Sequence, residues 1–259
     1  MRRARITEDR TILKVTGADA RRFLQDMVTN DIGGLAQGPV YAALLTPQGK
    51  YLFDFFLLAD GDAVLADVKS DVADALAARL MMYRLRADVS IEPSDMKVVQ
   101  GTGEMPDGAL PDPRSAALGW RLYGGELPEG SAPLTDAGWL ALRVDNMVPE
   151  TGIELIQGET YILEAGFERL HGVSFTKGCF VGQEVTARMK HKTQLRKGLA
   201  RVTLAGPSPA PGTPILHDGR VAGALCSASG DRALAFLRFD RAGEGMTAGP
   251  ARVVAVSRE

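Results

Sequence analysis

The sequence predicts an α+β protein that ends in a small β-barrel or sandwich, and three patterns carry this prediction. Two apolar runs, residues 40–46 and 51–58, flank Pro47-Gln48-Gly49, which is typical of a β-hairpin whose glycine adopts a positive φ. Apolar residues recur at helical spacing over residues 20–27 and 72–83, which predicts two amphipathic helices. Short β-prone runs dominate the C-terminal region. We therefore expect helices lying over a largely antiparallel sheet, followed by a separate β region.

Local signals predict the other elements of the first ninety residues. Residues 11–15 have the composition of a strand, and Asp60-Gly61-Asp62 predicts a turn into a further strand. Asp19 and Ser70 are suited to cap the two helices, because their side-chain oxygens can accept backbone N–H groups. Residues 85–91 alternate between apolar and polar side chains, which predicts a strand after the second helix.

The middle of the chain changes in composition. Residues 101–133 are rich in glycine and proline, which predicts loops with one short strand at Trp120–Tyr123. Helical patterns follow around residues 139–144, 164–170 and 182–191.

The C-terminal β runs suggest a domain boundary. We expect one α+β region over residues 1–195, in which residues 1–95 and 96–195 could form two subdomains, and a β-barrel over residues 196–259. The barrel prediction depends on four evenly spaced runs: residues 197–204, 220–227, 233–239 and 251–256.

Bulk composition excludes several classes of protein. With 45% hydrophobic and 24% charged residues, the chain has the balance of a folded protein rather than a disordered one. A formal net charge of −2 gives no general attraction to nucleic acid or anionic membranes, so any anion-binding site must be local. No apolar run is long enough to cross a bilayer, and Met1–Arg10 lack the apolar core of a signal peptide. Two cysteines are too few for a disulfide scaffold, and a reducing cytoplasm is the simplest location.

The segment most suited to chemistry surrounds Cys179. Gly178 and Gly182 bracket the cysteine, so the backbone there can bend sharply or approach a ligand closely. The cysteine precedes a predicted helix, and the positive end of that helix would favour a thiolate together with Lys177. A thiolate can act as a nucleophile, a redox thiol or a single metal ligand. The alternative is a small buried side chain among apolar neighbours.

Other kinds of site find little support. Cys226 lies in an alternating apolar pattern that favours a core strand. His171, His191 and His217 lack the spacing of metal ligands, so no metal site is predicted. The chain contains no phosphate-binding P-loop, no dinucleotide-binding glycine motif and no serine nucleophile elbow.

The sequence Lys177-Gly178-Cys179-Phe180-Val181-Gly182-Gln183-Glu184 resembles the signature K-G-C-[YF]-x-G-Q-E of the YgfZ family. The similarity extends to Thr29-Asn30-Asp31-Ile32 after the first helix, to the hairpin Thr46-Pro47-Gln48-Gly49-Lys50 and to Tyr83-Arg84-Leu85-Arg86. Residues 219–228 are similar to the barrel segment of the glycine-cleavage T-protein, a distant aminomethyltransferase relative. Together these segments cover most of the chain.

This resemblance implies a fold, a ligand and a role. The fold would be a ring of α+β parts around a central channel, closed by a C-terminal β-barrel. Tetrahydrofolate or a derivative would bind in the channel. The protein would assist the assembly or repair of [4Fe–4S] clusters in client enzymes, with Cys179 as its functional thiol. Its partners would be those Fe–S client proteins or the assembly machinery.

The resemblance also implies residues that bind the ligand. The T-protein relatives use an acidic residue in an Arg-acid stretch to accept N–H groups of the pterin, and the counterpart here is Asp145. Arg188, Lys190 or Arg196 could meet the anionic glutamate tail of folate, and Asn30 could line the channel. Lys177 and Gln183 are further candidates from the motif. The alternatives are a helix-surface aspartate, a turn-forming asparagine and a solvated basic helix face.

One departure separates the chain from the aminomethyltransferases. Those enzymes carry paired aspartates after the hairpin glycine, whereas here Phe53 occupies the catalytic position and only Asp54 remains. A phenylalanine cannot assist proton transfer, which argues against glycine-cleavage activity. The alternative functions are a folate-dependent one-carbon transferase and an RNA-binding protein, the latter suggested by the basic run from Arg188 to Lys197.

Overall fold

The chain forms two compact units, each built from two separate stretches of sequence. The first unit consists of Met1–Leu134 and Glu168–Val185, and the second consists of Thr135–Phe167 and Thr186–Glu259. The computed structural model describes residues 1–192 and 195–258. The expected division after residue 195 stays a prediction, although the first barrel strand does begin at Lys197.

Two sheets and two helices make up the first unit. One five-stranded sheet has the order β3-β4-β5-β2-β6 and is antiparallel throughout, and the other has the order β10-β1-β7-β9-β8. The helices are α1 (Ala20–Met27) and α2 (Ser70–Tyr83). The strands are β1 (Arg3–Thr7), β2 (Arg10–Thr16), β3 (Val40–Leu45), β4 (Tyr51–Asp60), β5 (Ala63–Lys69), β6 (Ser90–Ser94), β7 (Val98–Thr102), β8 (Leu110–Pro111), β9 (Trp120–Tyr123) and β10 (Ala132–Pro133).

The predicted apolar faces of both helices form the main core of this unit. Phe23 and Leu24 of α1 and Leu76 and Leu80 of α2 are buried against the strands of the first sheet. The predicted hairpin is also confirmed, because β3 and β4 pair antiparallel and Gly49 has a φ of 75°. The sequence pattern therefore predicted the two helices and the sheet against which the segment around Cys179 packs.

The second sheet was largely missed by the sequence prediction. Residues 101–133 contribute three short strands rather than loops with one strand. Trp120 covers Gly101 so closely that a β-carbon there would lie 2.0 Å from the indole ring. Strands this short carry too few residues to show an alternating pattern.

The second unit contains α3 (Asp136–Asp145) and a closed six-stranded β-barrel in the order β11-β14-β13-β12-β15-β16. Helix α3 packs on β13 and β14. The predicted barrel and its four predicted runs are confirmed, and two shorter strands complete the closure. The strands are β11 (Lys197–Ala205), β12 (Pro214–His217), β13 (Arg220–Ser229), β14 (Arg232–Arg238), β15 (Thr247–Ala248) and β16 (Ala251–Ser257). A further helix, α4 (Gln183–Lys192), follows the motif cysteine as predicted.

Two predicted elements are wrong. Residues 85–89 are not a strand, because the chain turns at Leu85, whose φ is 49°, and β6 begins only at Ser90. Residues 164–170 form successive turns rather than a helix. Gly166 there has a φ of 81°, and a residue in this region of backbone space interrupts a right-handed helix.

The two predicted caps also differ from expectation. Asp19 occupies the N-cap position of α1, but its side chain makes no capping bond and instead accepts from the backbone N–H of Asp88 at 2.8 Å. Ser70 is the first residue of α2, so Lys69 is the N-cap. None of the helices in the described part of the chain combines the length and apolarity required to span a membrane.

Candidate functional site around Cys179

Cys179 is exposed in the first unit, in the loop that precedes α4. Gly178 is also exposed and has a φ of 101°, and a β-carbon on it would meet no atom within 4 Å. Glycine is therefore required here for its backbone conformation and not for close packing. The thiol is accessible to solvent, as a nucleophile, redox thiol or metal ligand must be.

Lys177 fastens the N-terminal side of this loop to helix α1. Its ammonium group donates hydrogen bonds to the backbone oxygens of Gln25 and Val28, the latter at 2.6 Å. These carbonyls lie at the C-terminal end of α1, where helix carbonyls lack partners within the helix. Burial lowers the pKa of Lys177 to about 8, although Asp31 and Asp26 act in the opposite direction.

Apolar contacts fasten the other side of the loop. Phe180 is buried, and Val181 packs against the core between the helices and the first sheet. Gly182 lies directly on the hairpin, because a β-carbon on it would stand 2.6 Å from the oxygen of Thr46 and 3.0 Å from the α-carbon of Gly49. The loop is thus fixed on both sides of the exposed Gly178 and Cys179.

The turn after α1 meets the segment that leads to this loop. Thr29 donates through its hydroxyl to the oxygen of Gly172 at 2.7 Å, and the backbone N–H of Ser174 donates to the oxygen of Thr29 at 3.0 Å. Asn30 donates to the oxygens of Tyr41 and His171 at 2.8 and 2.6 Å. Its side-chain oxygen accepts from the N–H of Asp31. The Asn30 amide is therefore engaged by backbone groups, and these bonds give it a structural role.

Helix α4 carries two further residues that are candidates for ligand binding. Gln183 is its first residue and is partly exposed, and Arg188 lies exposed one turn further along. The basic run that suggested RNA binding continues past α4, but residues 193 and 194 lie outside the described residues.

Asp145 is the last residue of α3 in the second unit. Its carboxylate forms an ion pair with Arg232 at 2.5 Å, and its backbone oxygen accepts from Arg201 at 2.6 Å. About a third of its side chain is exposed (33%), so the carboxylate remains within reach of a ligand. The carboxylate of Asp145 is thus an accessible hydrogen-bond acceptor, and the expectation that Asn30 lines a ligand site stays a prediction.

The arginine before Asp145 is structural. Arg143 is buried and contacts Glu150 at 2.8 Å and the hydroxyl of Ser227 at 3.0 Å. Glu154 accepts from the same hydroxyl at 2.5 Å. This cluster joins α3 to strand β13. In the Arg-acid pattern, Arg143 is therefore a structural residue, and Asp145 supplies the accessible carboxylate.

Cys226 and Asp54 take structural positions. Cys226 lies half-buried on β13, and burial together with Glu154 raises the pKa of its thiol to about 11. Asp54 is 6% exposed and accepts from the hydroxyls of Tyr41 and Tyr51 at 2.9 and 2.8 Å. Phe53 points to the opposite face of β4, into the core that also contacts Val181.

A buried charge cluster in the first unit was not predicted. Asp67 on β5 is fully buried and accepts from Arg10 at 2.6 Å, from Arg121 at 2.8 Å and from the hydroxyl of Tyr123 at 2.9 Å. Arg121 also lies 3.8 Å from the centre of the Phe56 ring. Charged residues in strands usually face solvent, so the sequence pattern gave no sign of this cluster.

Asp112 extends the cluster. It accepts from Arg114 at 2.8 Å and from Arg121 at 3.3 Å. Burial alone would raise the pKa of Asp112, but the two guanidinium groups lower it to about 2. The cluster links the two sheets of the first unit, since Arg121 on β9 contacts Asp67 on β5.

No group of three or more histidine, cysteine, aspartate or glutamate side chains is placed to hold a metal ion within residues 1–192 and 195–258. An exposed cysteine in this loop can act alone or complete a site with ligands from another molecule.

Comparisons with known proteins cover nearly the whole chain. The C-terminal β-barrel domain of CAF17 matches residues 196–258. The mitochondrial iron–sulfur cluster assembly factor IBA57 of Mus musculus is 32% identical over 90% of this chain and 76% of its own length. The corresponding Homo sapiens protein is 32% identical over 89% of this chain and 76% of its own length. Both relatives are named as mitochondrial, and the cytoplasmic location expected for this chain stays a prediction.

A solved structure agrees on the fold. The glycine cleavage system aminomethyltransferase T of Bartonella henselae superposes with a TM-score of 0.75 over 94% of this chain and 80% of its own. At 14% sequence identity this likeness concerns the fold alone, and it confirms the T-protein-like α+β fold that the motif implied. The 32% sequence identity over almost the full length and the matching barrel show that the chain belongs to the IBA57 family.

Proposed function

We propose that this protein assists the assembly or repair of [4Fe–4S] clusters in client enzymes, with Cys179 as its functional thiol and tetrahydrofolate or a derivative as its ligand. The observation that carries the proposal is the exposed Cys179 in a loop fixed on both sides. Family membership supports the role in cluster assembly, because its relatives are named as assembly factors. The partners would be Fe–S client proteins or the assembly machinery.

The contrast between the two cysteines supports the choice of thiol. Cys226 is half-buried, and burial holds the pKa of its thiol at about 11, so little thiolate forms at neutral pH. Cys179 is exposed. A sulfur that must meet a cluster or a client protein has to be reachable, and Cys179 meets this requirement.

The ligand proposal rests on the accessible carboxylate of Asp145. A carboxylate oxygen can accept the N–H groups that a pterin ring presents. Arg232 holds Oδ1 of this carboxylate through its ion pair and so fixes its orientation. Arg188 and Gln183 stay proposed contacts for other parts of the ligand.

A one-carbon transferase is less well supported. Asp54, the only acid left at the position of the catalytic pair, is buried and held by two tyrosine hydroxyls. A general acid or base must reach the reacting atom, and this carboxylate is turned away from solvent.

The test of the thiol uses the two cysteines as a matched pair. In cells that lack the protein, Cys179→Ala should fail to restore the activity of a [4Fe–4S] enzyme, whereas Cys226→Ala should restore it. Immunoblotting would check that both variants accumulate equally. Full restoration by Cys179→Ala would exclude the thiol from the mechanism.

The test of the ligand is calorimetric titration of the purified protein with tetrahydrofolate. Asp145→Asn should weaken binding by about tenfold or more, the usual effect of losing a hydrogen bond to a charged group. Asp136→Asn, at the other end of α3, is the control. Arg232→Gln breaks the same ion pair but keeps the carboxylate, so it should bind far better than Asp145→Asn. Equal affinity of wild type and Asp145→Asn would overturn the assignment of this residue.

A further inference from the structure

Lys177 lies two residues before Cys179, and its ammonium group binds the C-terminal end of helix α1. Helix α1 has no basic residue in its last turn, so no cation of its own balances the negative end of its dipole. The Lys177 ammonium reaches this end from a distant part of the sequence and binds the oxygens of Gln25 and Val28. Lys177 thus supplies the C-terminal cation that α1 lacks.

We propose that Lys177 is a positioning residue for Cys179: its ammonium group fastens the loop to the C-terminal end of α1 and balances the negative end of that helix. The inference deepens the proposed function and depends on Cys179 being the functional thiol. The role of Lys177 is then to hold the loop in place, because both hydrogen bonds of its ammonium group go to backbone oxygens at the C-terminal end of α1.

The charges around the loop make this role specific. Asp26 and Asp31 act electrostatically on the Lys177 ammonium, and so does Cys179. The Lys177 ammonium is thus a positive charge that interacts both with these carboxylates and with Cys179. Negative surroundings disfavour a thiolate, which is the reactive form of cysteine.

The geometry also explains why a lysine is suited to this position. Two carbonyl oxygens converge on one nitrogen, and an ammonium group has three N–H donors that rotate freely to meet them. The Phe180 ring lies 5.4 Å from the same nitrogen and is buried, which adds a cation–π contact on the other side of the cysteine. Lys177 therefore ties together both sides of the exposed segment.

The test is the rate at which iodoacetamide alkylates Cys179 in the purified full chain at pH 7. Peptide mapping by mass spectrometry follows Cys179 and Cys226 separately. Lys177→Met should slow the alkylation of Cys179 by about threefold or more, since the loop loses its bonds to α1 and the cysteine loses a nearby positive charge. Lys177→Arg keeps the charge, although its planar fork meets the two oxygens less well, and should react faster than Lys177→Met. Lys14→Met, at a surface ion pair with Asp60, should leave the rate unchanged.

A second variant covers the case in which Lys177→Met does not fold. Lys177→Gln keeps amide donors but lacks the charge, and circular dichroism would establish that it is folded. Slow alkylation in this folded variant supports the proposal. A wild-type rate in folded Lys177→Gln or Lys177→Met would overturn it, and so would a Lys177→Arg variant as slow as these. The assay contains neither folate nor iron, so its failure is distinct from failure of the proposed function.

Discussion

Gly182 and Gly49 lie against each other, with 3.0 Å between the α-carbon of Gly49 and the place of a β-carbon on Gly182. Both residues have positive φ, 82° and 75° respectively. The contact joins the β3–β4 hairpin to the start of α4. The second glycine of the motif is thus required by close packing, whereas Gly178 is required by backbone conformation alone.

This difference predicts unequal costs for two alanine substitutions. Gly182→Ala should lower the free energy of unfolding by about 2–4 kcal/mol, because it adds a clash to the strain of a positive φ. Gly178→Ala, with open space around it, should cost only about 1–2 kcal/mol from the backbone. Urea unfolding of both variants measures the two values. Equal losses would contradict the packing argument.

The buried cluster around Asp67 predicts a large effect for its central arginine. Arg121→Met removes a guanidinium group that binds both buried carboxylates, Asp67 and Asp112, and should lower the free energy of unfolding by about 3–5 kcal/mol. Arg238→Met is the control, because its ion pair with Asp240 lies on the surface and should contribute nothing measurable. Urea unfolding at neutral pH distinguishes the two. A loss from Arg121→Met as small as that of the control would show that the cluster does not stabilise the fold.

Asp112 predicts how stability changes in acid. Its pKa in the folded protein is about 2, below the ordinary value of 3.8, so the folded state binds its proton less readily than the unfolded state does. The resulting stabilisation, roughly 2 kcal/mol, is present above pH 3.8 and is lost as the pH falls through about 2.

Unfolding titrations between neutral pH and pH 2 test this prediction. The stability difference between wild type and Asp112→Asn should shrink as the pH falls through this range. Asp107→Asn, in an exposed turn, should show a constant difference. If the difference in the free energy of unfolding between wild type and Asp112→Asn does not change with pH, the low pKa assigned to Asp112 is wrong.

Leu85 predicts a substitution that stabilises the protein. It follows the C-cap of α2 with a φ of 49° and is 87% exposed, in a position where glycine is preferred. Leu85→Gly should raise the free energy of unfolding by about 1 kcal/mol, because the strain is relieved and little packing is lost. Leu127→Gly, also at an exposed leucine, should give no gain. A fall in melting temperature for Leu85→Gly would show that the side chain packs in the folded state.

The elements that the sequence predicted correctly are those with a long, regular pattern. The faces of α1 and α2, the β3–β4 hairpin and the main barrel strands each repeat apolar residues at a clear period. The failures occur where one residue overrides the local pattern. Gly166 interrupts an apparent helix, and Leu85 turns the chain where alternation suggested a strand.

The candidate site also could be predicted only in part from the sequence. The motif located Cys179, but the sequence left open whether its thiol is exposed or buried among apolar neighbours, and the structure shows it exposed. The targets of Lys177 and Asn30 could not be predicted, because both side chains bind backbone carbonyls whose positions depend on the fold. Sequence patterns report residue types, but such bonds depend on where distant stretches of main chain meet.

The discontinuous first unit has a consequence for synthesis of the chain on the ribosome. Both sheets of this unit emerge with the first 134 residues, but the hydroxyl of Thr29 and one N–H of the Asn30 amide donate to the backbone oxygens of Gly172 and His171. These two acceptors are absent until the later stretch has left the exit tunnel. The nascent N-terminal part therefore lacks these bonds after the end of α1 until the segment that leads to Cys179 has been synthesised.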